Sequence, residues 1–266
     1  MTKVGFIGTG VMGGALARAV RKKTDGGALY LSNVPASVSE ALAAELGCVS
    51  CDNAAVASEC KYVFVAVKPN IIRGVLADIA PVLKKRNDRY IVVSVAAGIT
   101  IETVKQAAGF DVPVIRIMPN TPVMCGKGVI LAASDGVTDA EKAEFFDLLG
   151  YAGVCDDVTE KMIETAGTLT GCGPAYAFVI MQALADGAVA CGVDRAHAVK
   201  YAELTMRGAA ELALSTGKHL EQLKDEVCSP GGSTIEGVLA MEQSAVRSAM
   251  SEAVIASYEK NLKLGK

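Results

Sequence analysis

The chain has 266 residues, of which 51% are apolar and 21% charged, with a net charge of −3. That length suits one large or two modest domains with a sizeable core. There is no basic surplus to neutralise phosphates, and Trp is absent, so nucleic-acid binding is not among the expected functions. The apolar run at the N-terminus is too short for a signal peptide, and no A-x-A site follows it. Lys, Asp or Gly interrupts the longest hydrophobic stretches before the ~20 residues of a membrane span. We expect a soluble, cytoplasmic protein.

Strand patterns fall at residues 3–7, 28–31, 62–67, 90–95, 112–118 and 129–133. Helical patterns lie between most of them, among them 11–23 and 36–46. Strands alternating with helices predict an α/β, parallel, doubly wound sheet. From about residue 161 no strand pattern is evident, and 175–191, 195–215 and 244–264 read as long helices. The first is apolar nearly all round, the pattern of a buried helix, and a small helical domain obtains such cover from a partner subunit. We place the domain boundary at 160/161, giving 1–160 and 161–266. The eight cysteines read as reduced thiols serving as small hydrophobes. Cys48 and Cys51 form the one close pair, without the further ligands a zinc site needs.

Gly8, Thr9, Gly10, Val11, Met12 and Gly13 form a G-x-G-x-x-G motif between the first strand and the first helix. That context suits a dinucleotide-binding turn. Gly8 permits the tight turn, Gly10 lets the backbone approach a pyrophosphate, and Gly13 allows close helix–strand packing. Ser32 and Asn33 stand where NAD enzymes carry an acidic residue for the ribose 2′-hydroxyl. A neutral amide there admits a 2′-phosphate, although no Lys or Arg follows from Val34 through Cys60 to clamp one; NADPH is favoured, with NADH also usable. Asn53, at the next strand-to-helix turn, is a second candidate contact to that end of the cofactor. Ala66, Val67, Lys68 and Pro69 end one strand at the edge where open sheets bind ligands, and Ala96, Ala97 and Gly98 follow the next. Small residues there leave room for a flat nicotinamide ring. Arg116 to Pro122 form a stiff polar turn that is either structural or part of the site floor.

Two motifs fall in the helical part. Residues 168–176, TLTGCGPAY, read as a small-residue turn with Pro174 in the first turn of the next helix. Residues 227–234, VCSPGGST, read as a Gly-rich turn whose free N–H groups make an anion nest. A phosphate or a substrate carboxylate would fit it, Thr234 adds a hydroxyl for the reacting group, and a plain helix cap is the alternative for Ser233 or Thr234.

The set GFIGTGVMG, AVKP, SVAAGIT, MPNTP, GTLTGCGPAYAF and QLKDEVCSPGGSTIEGVLAME resembles pyrroline-5-carboxylate reductase over nearly the whole chain. The resemblance implies a Rossmann-like N-terminal domain and an all-helical C-terminal dimerisation and substrate domain. It also implies an active site shared between subunits and often a decamer of five dimers. The expected reaction is hydride transfer from NAD(P)H to 1-pyrroline-5-carboxylate, the last step of proline biosynthesis. By the same resemblance, Gly231, Gly232, Ser233 and Thr234 hold the substrate carboxylate, Thr234 bonds the ring nitrogen, and Glu160 faces that nitrogen's positive charge. Val11, Thr170, Cys172 and Glu226 depart from the family pattern, and Glu226 is expected to alter cofactor contacts across the dimer. The rival readings are another imine reductase, a β-hydroxyacid dehydrogenase, whose lysine position holds Ala177, and a non-catalytic NAD(P)H sensor.

Overall fold

The structure, a computed structural model, describes residues 2–264. Eight strands form one sheet: β1 Val4–Ile7, β2 Leu29–Ser32, β3 Val49–Ser50, β4 Tyr62–Val65, β5 Ile91–Ser94, β6 Val114–Met118, β7 Gly128–Asp135 and β8 Gly153–Asp157. The helices α1 Val11–Arg21, α2 Ala36–Leu46, α3 Asn53–Glu59, α4 Ile72–Leu83, α5 Ile101–Ala108 and α6 Asp139–Leu148 alternate with them. Beyond the sheet come α7 Glu160–Ala190, α8 Arg195–Thr216, α9 Leu220–Val227, α10 Ser233–Gln243 and α11 Val246–Leu264.

The strand order is β3-β2-β1-β4-β5-β6-β7-β8. The central strands β1, β4 and β5 are buried along their whole length, because helices cover both faces of a parallel sheet. Side chains alternate between the faces. Phe6, Phe64, Ile115 and Ile117 pack with Leu16 and Phe145 on one, and Ile7, Val65, Val92 and Val114 pack with Leu76 and Ile79 on the other. The Phe6 and Phe64 rings stack at 4.2 Å. The chain goes from β1 to β2 on one side and returns to β4 on the other, so the crevice of a doubly wound sheet opens beyond the ends of β1 and β4.

The sheet corrects the sequence reading in two ways. β7 runs antiparallel to β6, because residues 119–127 are too few for a parallel crossover, which takes a dozen or more. The edge strands β3 and β8 were not anticipated. β3 has two residues, and β8 is mostly exposed and ends in Asp156 and Asp157.

The helical region brings further corrections. Residues 168–174 are no turn, since α7 runs unbroken through Pro174. The exposure of Phe178 and Val179, 64% and 67%, is no correction: this apolar helix is expected to take its cover from a partner subunit. By length and composition α7 is long enough and apolar enough to cross a membrane, because its Gly and Pro residues stay inside the helix instead of interrupting it. The chain divides into two compact units, Met1–Gly171 with Lys260–Lys266, and Cys172–Glu259. Within the second unit the buried apolar residues are Ala185, Ala198 and Ala202, and the Tyr176 hydroxyl meets the Ala253 carbonyl at 3.1 Å and Ser257 Oγ at 2.5 Å. So small a core leaves a large apolar surface on these helices.

Candidate functional site

The glycine turn after β1 separates glycines that the fold needs from one that it does not. Gly8 has φ +96°, and its N–H donates to the Ser32 carbonyl at 2.8 Å. A Cβ on Gly13 would lie 2.1 Å from the Gly8 carbonyl oxygen, an impossible contact. A Cβ on Gly10 would meet nothing within 4 Å, so the chain itself does not require glycine there. Gly10 is the N-cap of α1, whose first turn carries no acidic residue. No side chain caps the first N–H groups of α1, which leaves them available to an anion. Val11 is exposed, Met12 half-buried, and the buried Thr9 hydroxyl has no partner. This cradle fits the pyrophosphate of a dinucleotide.

Beside it, a cleft of about 550 Å³ brings Ser32, Asn33 and Asn53 together. Ser32 Oγ donates to Asn53 Oδ1 at 2.6 Å. Asn33 Oδ1 accepts from the Thr9 N–H at 2.9 Å, and its Nδ2 donates to the Pro35 carbonyl at 3.1 Å. Sequence reasoning missed that Glu40, Asp52 and Asp78 also line this cleft, which no Lys or Arg lines. They come from α2, the N-cap of α3, and α4, so no local motif announces them.

The other predicted cofactor residues lie along the same sheet edge. Ile7, Val65, Ser94 and Arg116 are level across β1, β4, β5 and β6. Beyond them Ala66 and Val67 are half-buried and Lys68 and Pro69 exposed. Ala96 is buried, whereas Ala97 and Gly98 are exposed. Gly98 has φ +73° and open space where a side chain would stand. The Ser94 hydroxyl is buried without a partner.

Glu160 opens α7, and one oxygen of its carboxylate is engaged. It accepts from the Ile101 N–H at 2.7 Å and from Arg116 at 2.9 Å. Arg116, 2% exposed, also pairs with Glu164. A charge this deep requires such partners. Glu160 Oε1 thereby joins β6, α5 and α7, while its side chain stays 32% exposed.

The loop at 231–234 lies in the second unit. Gly231 has φ +68°, the left-handed region that favours glycine. A Cβ on Gly232 would lie 2.4 Å from Ser229 Oγ, and the Gly232 N–H donates to the Ser229 carbonyl at 3.0 Å. Gly232 is itself the N-cap of α10, so neither Ser233 nor Thr234 is the cap. Both are exposed in the first turn, where backbone N–H groups have no helical partner. Glu226 pairs with Lys218 at 2.7 Å, and this contact holds its carboxyl below the usual range.

Other titratable candidates are engaged elsewhere. His219 caps α9, and His197 Nδ1 sits 2.6 Å from Asp194. All eight cysteines are free. Burial pushes Cys51 up to about 11, and Cys60 and Cys155 up to about 12. Among the described residues no group of His, Cys, Asp and Glu is arranged to hold a metal ion.

The family model for pyrroline-5-carboxylate reductase dimerisation matches residues 160–264, and one for NADP oxidoreductase coenzyme F420-dependent matches residues 3–98. The chain is 36% identical to a pyrroline-5-carboxylate reductase of Escherichia coli (strain K12) over 99% of its own length and 98% of the relative's. A solved pyrroline-5-carboxylate reductase from Coxiella burnetii superposes with a TM-score of 0.92 at 28% identity, over 100% of this chain and 99% of that one. The pyrroline carboxylate reductase of Plasmodium falciparum, solved with NADP bound, gives 0.85 at 28% identity, over 100% and 98%. With a sheet built for a dinucleotide, a helical region matched as its dimerisation part, and full-length kinship of this degree, the chain belongs to the pyrroline-5-carboxylate reductase family.

Proposed function

We propose that this protein reduces 1-pyrroline-5-carboxylate to L-proline with NADPH, NADH serving as a second cofactor. The observation that carries the reading is the Gly10 cradle: the N-cap of α1, with no acidic residue in the first turn and open space where a Cβ would stand. The glycine turn 8–13 binds the pyrophosphate, and Ser32, Asn33 and Asn53 receive the adenosine side. Residues 66–69 and 96–98 border the nicotinamide. When bound, the cofactor supplies hydride to the imine carbon.

The chain's own residues bind and orient the substrate. Because the Gly232 N–H is engaged by Ser229, the N–H groups of Ser233 and Thr234 are the natural donors to the substrate carboxylate. Gly231 and Gly232 shape the turn that presents them. The Thr234 hydroxyl accepts a hydrogen bond from the protonated ring nitrogen and fixes the face presented to hydride. An iminium substrate needs no strong protein acid, which accords with both histidines being engaged elsewhere.

The assembly proposed is a homodimer that covers the apolar faces of α7 and its neighbours, with residues 231–234 serving the partner's cofactor. A decamer of five dimers is the larger form to test. The location proposed is the cytoplasm, with no nucleic-acid or membrane partner. Incubation with pyrroline-5-carboxylate and NADPH, followed at 340 nm with proline measured as product, tests the reaction. Absorbance that does not fall faster than in the enzyme-free control would defeat it.

A further inference from the structure

Alternate residues along β6 and the loop that continues it all grip the first turns of α7. Arg116 pairs with Glu160 and Glu164. Met118 lies against two glycines: a Cβ added at Gly167 would be 3.2 Å from Met118 Cγ, and one at Gly171 3.4 Å from Met118 Cε. Asn120 Nδ2 donates to the Thr170 carbonyl at 2.9 Å.

The third contact answers a specific defect. In an α-helix the carbonyl of residue 170 accepts from the N–H of residue 174. Here that residue is Pro174, which has no N–H to give. The side chain of Asn120 supplies the missing donor from outside the helix. Asn120 is 7% exposed, and its Oδ1 accepts from the Val129 N–H at 2.9 Å, so the same amide also holds the start of β7. The loop it anchors leaves the sheet edge next to β5, whose end carries Ser94 and residues 96–98.

We propose that Asn120 is a positioning residue for the reduction: it replaces the helical N–H that Pro174 removes and so sets the wall between the loop after β6 and residues 168–171 of α7. The catalytic half of this inference rests on the proposed function, whereas the repair of the helix does not.

A double-mutant cycle of Asn120→Leu and Pro174→Ala tests it, because alanine returns an N–H to the Thr170 carbonyl. In the wild-type background Asn120→Leu should lower kcat about tenfold or more, with the KM for NADPH unchanged. In the Pro174→Ala background the same substitution should cost at least threefold less, the remainder reflecting the lost Val129 bond. The thermal midpoint should show the same coupling. Equal penalties in both backgrounds would overturn the proposal. So would a loss of thermal stability with wild-type kcat, which would leave Asn120 a purely structural role. If Asn120→Leu alone does not fold, folding of the double variant supports the proposal and failure of both overturns it. A wild-type protein inactive on pyrroline-5-carboxylate would defeat the proposed function, and the thermal cycle would still read the coupling of Asn120 to Pro174.

Discussion

The Thr9 N–H donates to the side-chain oxygen of Asn33 at 2.9 Å, tying the tip of β2 to the turn that follows β1. Asn33 thus builds the glycine turn as well as facing the cleft. Asn33→Asp keeps an acceptor for Thr9 and adds a negative charge to a cleft already lined by Glu40, Asp52 and Asp78. A carboxylate there accepts from a ribose 2′-hydroxyl and repels a 2′-phosphate. The KM for NADPH should rise about tenfold, equivalent to roughly 1.4 kcal/mol, with little change for NADH. An unchanged ratio of the two would mean that Asn33 does not face the ribose.

Gly10 and Gly13 should respond oppositely to alanine. Gly13→Ala places a methyl 2.1 Å from the Gly8 carbonyl oxygen, an overpacking of about 1–3 kcal/mol or more, and should lower the thermal midpoint. Gly10→Ala meets only open space, so the midpoint of the free protein should hold while NADPH affinity falls about tenfold or more. Fluorescence titration and thermal melts on both variants check this. Tight NADPH binding by Gly10→Ala would place the pyrophosphate elsewhere.

Thr234→Val keeps the β-branched shape in the first turn of α10 and removes the hydroxyl. Because Gly232 is the N-cap, the loss should not unravel the helix. Turnover efficiency should drop about ten- to a hundredfold, or roughly 1–3 kcal/mol, with NADPH affinity unchanged. Steady-state kinetics beside a cofactor titration separates the two effects. Near wild-type turnover would move the nitrogen contact to another group.

Glu141 should shape the acid limb of stability. Arg89 grips its carboxylate through two bonds, at 2.6 and 2.8 Å, and Thr138 adds a capping box, which together hold its pKa down to about 2 against an ordinary value of 4.5. The folded carboxyl titrates below the unfolded one, so its contribution is complete above about pH 4.5 and is lost as pH falls toward 2. Thermal melts from pH 7 to 2.5 should show stability declining through that window. Arg89→Met should lower stability at neutral pH and make this decline shallower. An identical acid limb in the variant would remove Glu141 from the account.

Much of the fold was legible because its signals are local. The runs at residues 3–7, 62–67 and 90–95 mark central strands whose both faces are buried, and the spacing of Gly8, Gly10 and Gly13 encodes a turn within six residues. An edge strand of two residues such as β3, or one ending in two aspartates such as β8, carries too weak a pattern to stand out. The direction of β7 depended on which neighbour it paired with, and a strand pattern does not specify that. Tertiary structure also decided the continuity of α7. Locally, Pro174 reads as a helix start, whereas in the fold the helix runs on through it and the distant Asn120 donates to the Thr170 carbonyl. The same holds for Glu160, whose Oε1 meets Arg116 and the Ile101 N–H, and for the acidic cleft that Glu40, Asp52 and Asp78 form from three separate elements. Periodicity records what each residue does for its own segment, whereas hydrogen-bond partners and charge clusters arise where segments far apart in sequence converge.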